Sequence, residues 1–195
     1  MIAGLVTLLS LWIYPSAVSD KGDLQPRIPG SNSGAKGAIK LPEYKEGDKD
    51  YAPKDAQEKA FIRQLELAKK HNKPIILHSR EAHPQCLKIL KEVMGKKVRG
   101  VAHCFSGTDD QARAYLDLGM YISIGGPITF PNALQLKDVV KSIPIERLLL
   151  ETDCPFLSPQ AKRGQRNEPA YLAYCLEEFA RIYHLSVDDI KRITT

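Results

Sequence analysis

Leu148-Leu149-Leu150-Glu151-Thr152-Asp153-Cys154-Pro155 is the stretch that decides the fold. Three consecutive leucines predict a strand buried on both faces, and the run then breaks into two acidic residues, a cysteine and a proline that cannot continue a ladder. Carboxylates at the carboxyl end of a buried strand point to a site, because parallel α/β folds carry their chemistry at that edge of the sheet. Taken alone, the stretch has a plainer reading, a strand-ending Asp that caps the next turn. Two other stretches repeat the pattern. Pro74-Ile75-Ile76-Leu77 runs into His78-Ser79-Arg80, and Val98-Arg99-Gly100-Val101-Ala102 runs into His103-Cys104-Phe105-Ser106-Gly107.

Three strand ends thus offer His78, His103 and Asp153. Neighbouring parallel strands lie roughly 5 Å apart, and imidazole and carboxylate are ligands for hard and borderline divalent ions. The three residues are therefore candidate metal ligands. Asp153 is also a candidate catalytic carboxylate, able to orient and deprotonate a water. Glu151 falls on the strand face of Asp153 if the pleat continues, where it either supports the site or pairs with a lysine or arginine. Arg80 follows a strand end directly and is a candidate phosphate contact, whereas Lys162, Arg163 and Arg166 read as solvated charge on a polar loop. No row of aromatic residues suggests a stacking platform for single strands.

The chain has 195 residues, which suits one domain with a sizeable core. Lysine and arginine number 28 against 23 acidic residues, a formal charge of +5. That mild surplus permits a polyanionic substrate without demanding one. Cys86, Cys104, Cys154 and Cys175 show no CxxC spacing, which argues against a zinc knuckle or a disulfide framework and fits reduced thiols in the cytoplasm.

Residues 1–19 carry no charged side chain, and the apolar run within them is short of the roughly 20 residues of a membrane span. A secretory signal is the alternative to a cytoplasmic location, although no Lys or Arg precedes the apolar run. An amino-terminal strand is a further reading. Residues 20–37, rich in Gly, Pro, Ser and Asn, read as a linker, so residues 1–37 are set apart from a domain over 38–195. Within that domain Ala38 to Leu41 is a candidate strand. A helix follows, with Asp55 and Glu58 in a capping-box arrangement and Phe61, Ile62, Leu65 and Ala68 on one face. The next helix begins at Pro84, buries Leu87, Leu90 and Val93, and stops at Gly95. Thr108 and Gln111 form a second capping box before a helix that ends at Gly119, and Tyr121 to Ile124 is a strand running into Gly125-Gly126-Pro127. Leu134, Leu136, Val139 and Val140 mark another helix. The last two helices are capped by Asn167, with Pro169 in the first turn, and by Ser186, with Asp189 three residues on.

At least four βα units make the class α/β with a parallel sheet. Single ligands from several strand ends favour a (β/α) barrel, although a complete barrel takes about 250 residues.

Taken in order, His78-Ser79-Arg80, His103-Cys104-Phe105-Ser106-Gly107, Glu151-Thr152-Asp153-Cys154-Pro155 and Arg166-Asn167-Glu168-Pro169 resemble the TatD-type metal-dependent deoxyribonucleases. These form a TIM-barrel branch of the amidohydrolase superfamily, and the resemblance runs from about Tyr51 to Thr195. It implies a hydrolase that cleaves DNA phosphodiester bonds with a divalent ion, Mg2+ or Mn2+ with Zn2+ as an option, held by His78, His103 and Asp153. Two family features are missing. No His-x-His pair ends a first strand, since His71 is the first histidine, and no Gly-Glu-x-Gly-Leu-Asp motif precedes His78. Glu43 stands near the place of that motif's bridging Glu in one alignment and opposite its Asp in another, so it is retained as a fourth candidate ligand. The expectation is a TIM-type barrel incomplete at the amino terminus. The competing functions are a non-catalytic barrel remnant that binds or scaffolds, and a related metal-dependent hydrolase of small esters or amides.

Overall fold

The computed structural model describes residues 9–11, 54–79 and 82–194. Ala38 to Leu41, Glu43 and Arg80 lie outside the described residues. The chain divides into two units, residues 1–95 and 96–195.

In the first unit, strand β1 (Leu9–Leu11) pairs in parallel with β2 (Ile75–His78), Leu9 opposite Ile75 and Leu11 opposite Leu77. Helix α1 (Lys54–Lys70) buries Gln57, Phe61, Leu65 and Ala68, one residue per turn along a single stripe. Asp55 lies inside its first turn and pairs with Lys59, so the predicted Asp55/Glu58 cap is not the structure's solution. Helix α2 (His83–Met94) starts one residue before Pro84 and ends where Gly95 takes a φ of 83°, a value that favours a residue without Cβ. Its buried face is His83, Cys86, Leu87, Ile89 and Leu90, and Val93 is only half-buried. Lys69 Nζ donates to the Val93 carbonyl at 2.7 Å, joining the ends of α1 and α2. In β2 the buried residues alternate, Ile75 and Leu77 inward, which leaves His78 half-buried at the strand's carboxyl end.

In the second unit β3 (Gly100–His103), β4 (Tyr121–Ile124) and β5 (Leu148–Leu150) form a parallel ladder with β4 in the middle. Ala102 pairs with Ile122, and Ile122 with Leu148. Parallel pairing requires crossovers, supplied here by α3 (Asp109–Asp117) and α4 (Leu134–Ser142). The Thr108 capping box forms in full, Thr108 Oγ1 accepting from Gln111 N and Gln111 Oε1 from Thr108 N. Helices α5 (Leu172–Tyr183) and α6 (Val187–Thr194) follow β5 and pack against it. Ser186 caps α6, accepting from Asp189 N at 3.0 Å.

The core of this unit gathers Tyr115, Met120, Ile122, Ile124, Ile128, Leu148, Phe179 and Ile190, each with less than 2 % of its surface exposed. Each such side chain contributes about 1.5–3 kcal/mol through its removal from water. Of the three leucines expected to be buried on both faces, only Leu148 is; Leu149 and Leu150 are half-buried. Between α4 and α5, the buried Glu178 carboxylate of α5 is neutralised by Lys137 of α4 at 2.7 Å and by Arg181 of α5 at 2.8 Å.

Candidate metal centre at the strand ends

The ladder register of the second unit determines which side chains meet. Ser123 lies opposite Leu149, and Glu151 follows Leu149 by two residues, which keeps it on the same face. His103 follows Ala102, whose partner is Ile122, so it stands level with Ser123 on the other side. The contacts follow from that register. Glu151 Oε2 receives the His103 Nδ1 proton at 2.6 Å and the Ser123 hydroxyl proton. Glu151 Oε1 is buried with no hydrogen-bond partner among the described residues. Gly125 lies beside it, since a Cβ there would sit 3.8 Å from Oε1.

The other ring nitrogen of His103 faces Asp153, with Nε2 to Oδ1 at 3.4 Å. Burial opposes a charge on this imidazole, but hydrogen bonding to Asp153 and Glu151 and their negative charge outweigh it, and the pKa rises to about 9. A histidine between two carboxylates thus carries a proton where those carboxylates call for a cation.

Backbone geometry holds the arrangement. Cys104, directly after His103, takes a φ of 47°, turning the chain out of the strand. Phe105 then anchors it, buried against Tyr115 with ring centroids 6.2 Å apart and nearly perpendicular. After β5 the Phe156 N–H bonds the Asp153 carbonyl at 2.7 Å, closing a turn. Asn167, 3 % exposed, clamps that turn by donating Nδ2 to the Phe156 carbonyl at 2.7 Å and its backbone N–H to the Pro155 carbonyl at 3.1 Å. Sequence reasoning made Asn167 a helix cap. Instead a short 3-10 turn, Pro169–Tyr171, precedes α5, and the amide side chain is spent on the strand-end loop.

The structure brings His103 and Asp153 together, with Glu151 behind them. His78 ends β2 in the first unit. Ser123 was missed, although a serine between two isoleucines in a buried strand is the signal that could have found it.

The donor set can be tested against a metal ion. Two ligands about 2.1 Å from one ion lie roughly 3.0 to 3.4 Å apart at octahedral or tetrahedral angles. The 3.4 Å between His103 Nε2 and Asp153 Oδ1 meets that condition. Donation of Nδ1–H to Glu151 is also the usual arrangement behind a metal-bound imidazole, because it fixes the tautomer and makes the ligand more basic. Two positions of a coordination shell are thus supplied. Among the described residues no group of three or more His, Cys, Asp or Glu side chains is placed to hold an ion.

Residues 41–195 match the family described as TatD related DNase. A metal-dependent hydrolase of Bacillus subtilis, YabD, is 47 % identical over 146 residues, covering 75 % of this chain and 57 % of that protein. The protein named 3'-5' ssDNA/RNA exonuclease TatD from Edwardsiella piscicida is 40 % identical over 143 residues, or 71 % of this chain and 55 % of that one. Among solved structures, YjjV, a TatD homologue from Escherichia coli, superposes with a TM-score of 0.70 at 33 % identity over 81 % of this chain and 59 % of its own. The chain spans about half the length of the curated relatives it matches. Its α/β fold is of the TIM-barrel type.

Proposed function

This chain belongs to the TatD-related DNase family of hydrolases, and we propose that residues 38–195 hydrolyse phosphodiester bonds in DNA with a divalent ion. The observation that supports this most directly is His103, fixed by Glu151 on one nitrogen and facing Asp153 at 3.4 Å on the other. A relative named as a single-strand DNA and RNA exonuclease supports the substrate class. When bound, Mg2+ or Mn2+, or Zn2+, supplies a nucleophilic water at neutral pH and neutralises charge on the phosphate.

The chain's own residues divide the remaining work. His103 binds through Nε2, with Glu151 holding its tautomer. Asp153 would hold the ion beside His103 or serve as the carboxylate that orients and deprotonates a water. His78 and Glu43 are proposed as further ligands and Arg80 as a phosphate contact, on the order of the family motifs in the sequence. The free thiols of all four cysteines suit a cytoplasmic setting. Among the described residues, no helix is long and apolar enough to cross a membrane.

The test is Asp153→Ala. Removing a positioned acid–base group costs about 10²- to 10⁴-fold in rate, so Mn2+-dependent cleavage of a fluorescent single-stranded oligonucleotide should fall at least that far. Undiminished cleavage would take Asp153 out of the mechanism. Metal binding by the wild-type chain with every oligonucleotide left intact would favour the non-catalytic reading.

A further inference from the structure

We propose that Ser123 is a positioning residue of the metal centre. Its hydroxyl holds the Glu151 carboxylate in the orientation that receives the His103 Nδ1 proton, so that Nε2 is presented to the ion. The proposal rests on the metal-dependent reading above and adds a residue from the middle strand that lies outside the sequence motifs.

Ser123 stands where an apolar side chain would serve the core better. It is 3 % exposed, between the fully buried Ile122 and Ile124, in the strand that has a neighbour on either side. A hydroxyl removed from water at such a place is unfavourable unless it finds a partner, whereas an apolar group there would gain from burial. The partner is the Glu151 carboxylate, 28 residues further along the chain and just past the end of the adjoining strand. The serine is therefore explained by that carboxylate and not by its own strand.

The terminal torsion of a glutamate is broad, so a single contact does not set the plane of its carboxylate. Glu151 Oε1 has no hydrogen-bond partner among the described residues, and the orientation depends on what reaches Oε2. Two donors do, the Ser123 hydroxyl from β4 and His103 Nδ1, at 2.6 Å, from β3. His103 cannot by itself orient the group that is to orient it. Ser123 can, because the ladder fixes it independently. The same residue also registers both sides of the pair. Its carbonyl accepts the Phe105 N–H at 3.0 Å, two residues beyond His103, and it lies opposite Leu149, two residues before Glu151. Without the hydroxyl the carboxylate is free to turn, and the imidazole loses the fixed acceptor that aims Nε2 at the ion.

The experiment measures Mn2+ affinity by titration calorimetry on the full chain without substrate, for the wild type, Ser123→Ala, Glu151→Ala and the double variant. Ser123→Ala should bind Mn2+ about 10-fold more weakly, the lower end of the loss that follows removal of a group behind a metal ligand. In the Glu151→Ala background the same change should cost less than about twofold, because Ser123 acts only through that carboxylate. A general loosening of the strand would weaken binding equally in both backgrounds and overturns the proposal. An unchanged affinity of Ser123→Ala also overturns it, as does a wild-type chain that binds no Mn2+. Mn2+-dependent cleavage of an oligonucleotide by the wild-type chain reports separately on the nucleolytic reading. Ser123-dependent Mn2+ binding without cleavage keeps the inference and removes that reading. Cleavage by the wild type, with Ser123→Ala binding Mn2+ as tightly, does the reverse.

Discussion

Gly126→Ala is the perturbation whose consequence can be worked furthest. A Cβ on Gly126 would lie 2.3 Å from the Leu157 carbonyl oxygen, 3.2 Å from Pro159 N and 3.4 Å from Ser158 C. Carbon and oxygen that merely touch stay roughly 3.3 Å apart, so the two backbones must separate by about 1 Å. All three obstructing atoms are backbone and belong to a loop held by Asn167 and Ser158, so no side-chain rotation relieves the contact. Forcing such a clash in a packed region costs about 1–3 kcal/mol, which for a chain of this size lowers Tm by about 3 to 10 °C. The displaced loop also carries the turn on Asp153, and a shift of about 1 Å at a reacting group can cost about 10²-fold in rate.

Gly125→Ala is the control. Its Cβ would meet the Glu151 carbonyl oxygen at 3.5 Å and nothing closer, an ordinary contact, so stability should stay within about 0.5 kcal/mol of the parent. Calorimetric melting of both variants, with oligonucleotide cleavage measured beside it, checks the pair. A Gly126→Ala chain that melts and cleaves like Gly125→Ala would refute the reasoning.

Other outcomes follow from the same geometry. Glu151→Gln takes away the carboxylate that fixes His103, and Mn2+ affinity by titration calorimetry should drop about 10- to 100-fold; an unchanged affinity would detach Glu151 from the centre. His83, 4 % exposed, has its pKa pushed down to about 4 by burial first and by the nearby charge of His78 second, against 6.5 unfolded. The unfolded chain therefore binds the proton first as pH falls. Stability in EDTA should be full above pH 6.5 and decline by up to about 3 kcal/mol towards pH 4, a decline that His83→Gln flattens in denaturant titrations. Exposed Cys154 should alkylate first and Cys104 more slowly by mass spectrometry. Buried Cys86 and Cys175 should react only on unfolding, because burial raises both thiols and the charge of Glu151 helps bring Cys175 to about 12.

The residues 1–95 and 96–195 contribute unequally to what could be read in advance. Thr108 and Gln111 announce their helix because a capping box is made within one turn, and Gly95 and Gly119 announce helix ends because their positive φ is a local demand. Asp55 misled for the same reason in reverse. Its side chain had a second local partner in Lys59, and local spacing could not rank the two. The strand ends at His103 and Asp153 were legible as breaks in apolar runs, and the family motifs carried their chemistry.

What this sequence determined by itself was the alternation of short apolar strands with capped helices, and the residue types waiting at the strand ends, since both are properties of a few consecutive residues. The tertiary structure decided which of those residues meet. Glu151 reaches His103 across 48 residues, with Ser123 between them, only because the parallel register brings all three to one face. Asn167 likewise became a loop clamp, not a cap, because its Nδ2 and its backbone N–H meet the carbonyls of Phe156 and Pro155, which come close in space only after the chain has turned back on itself.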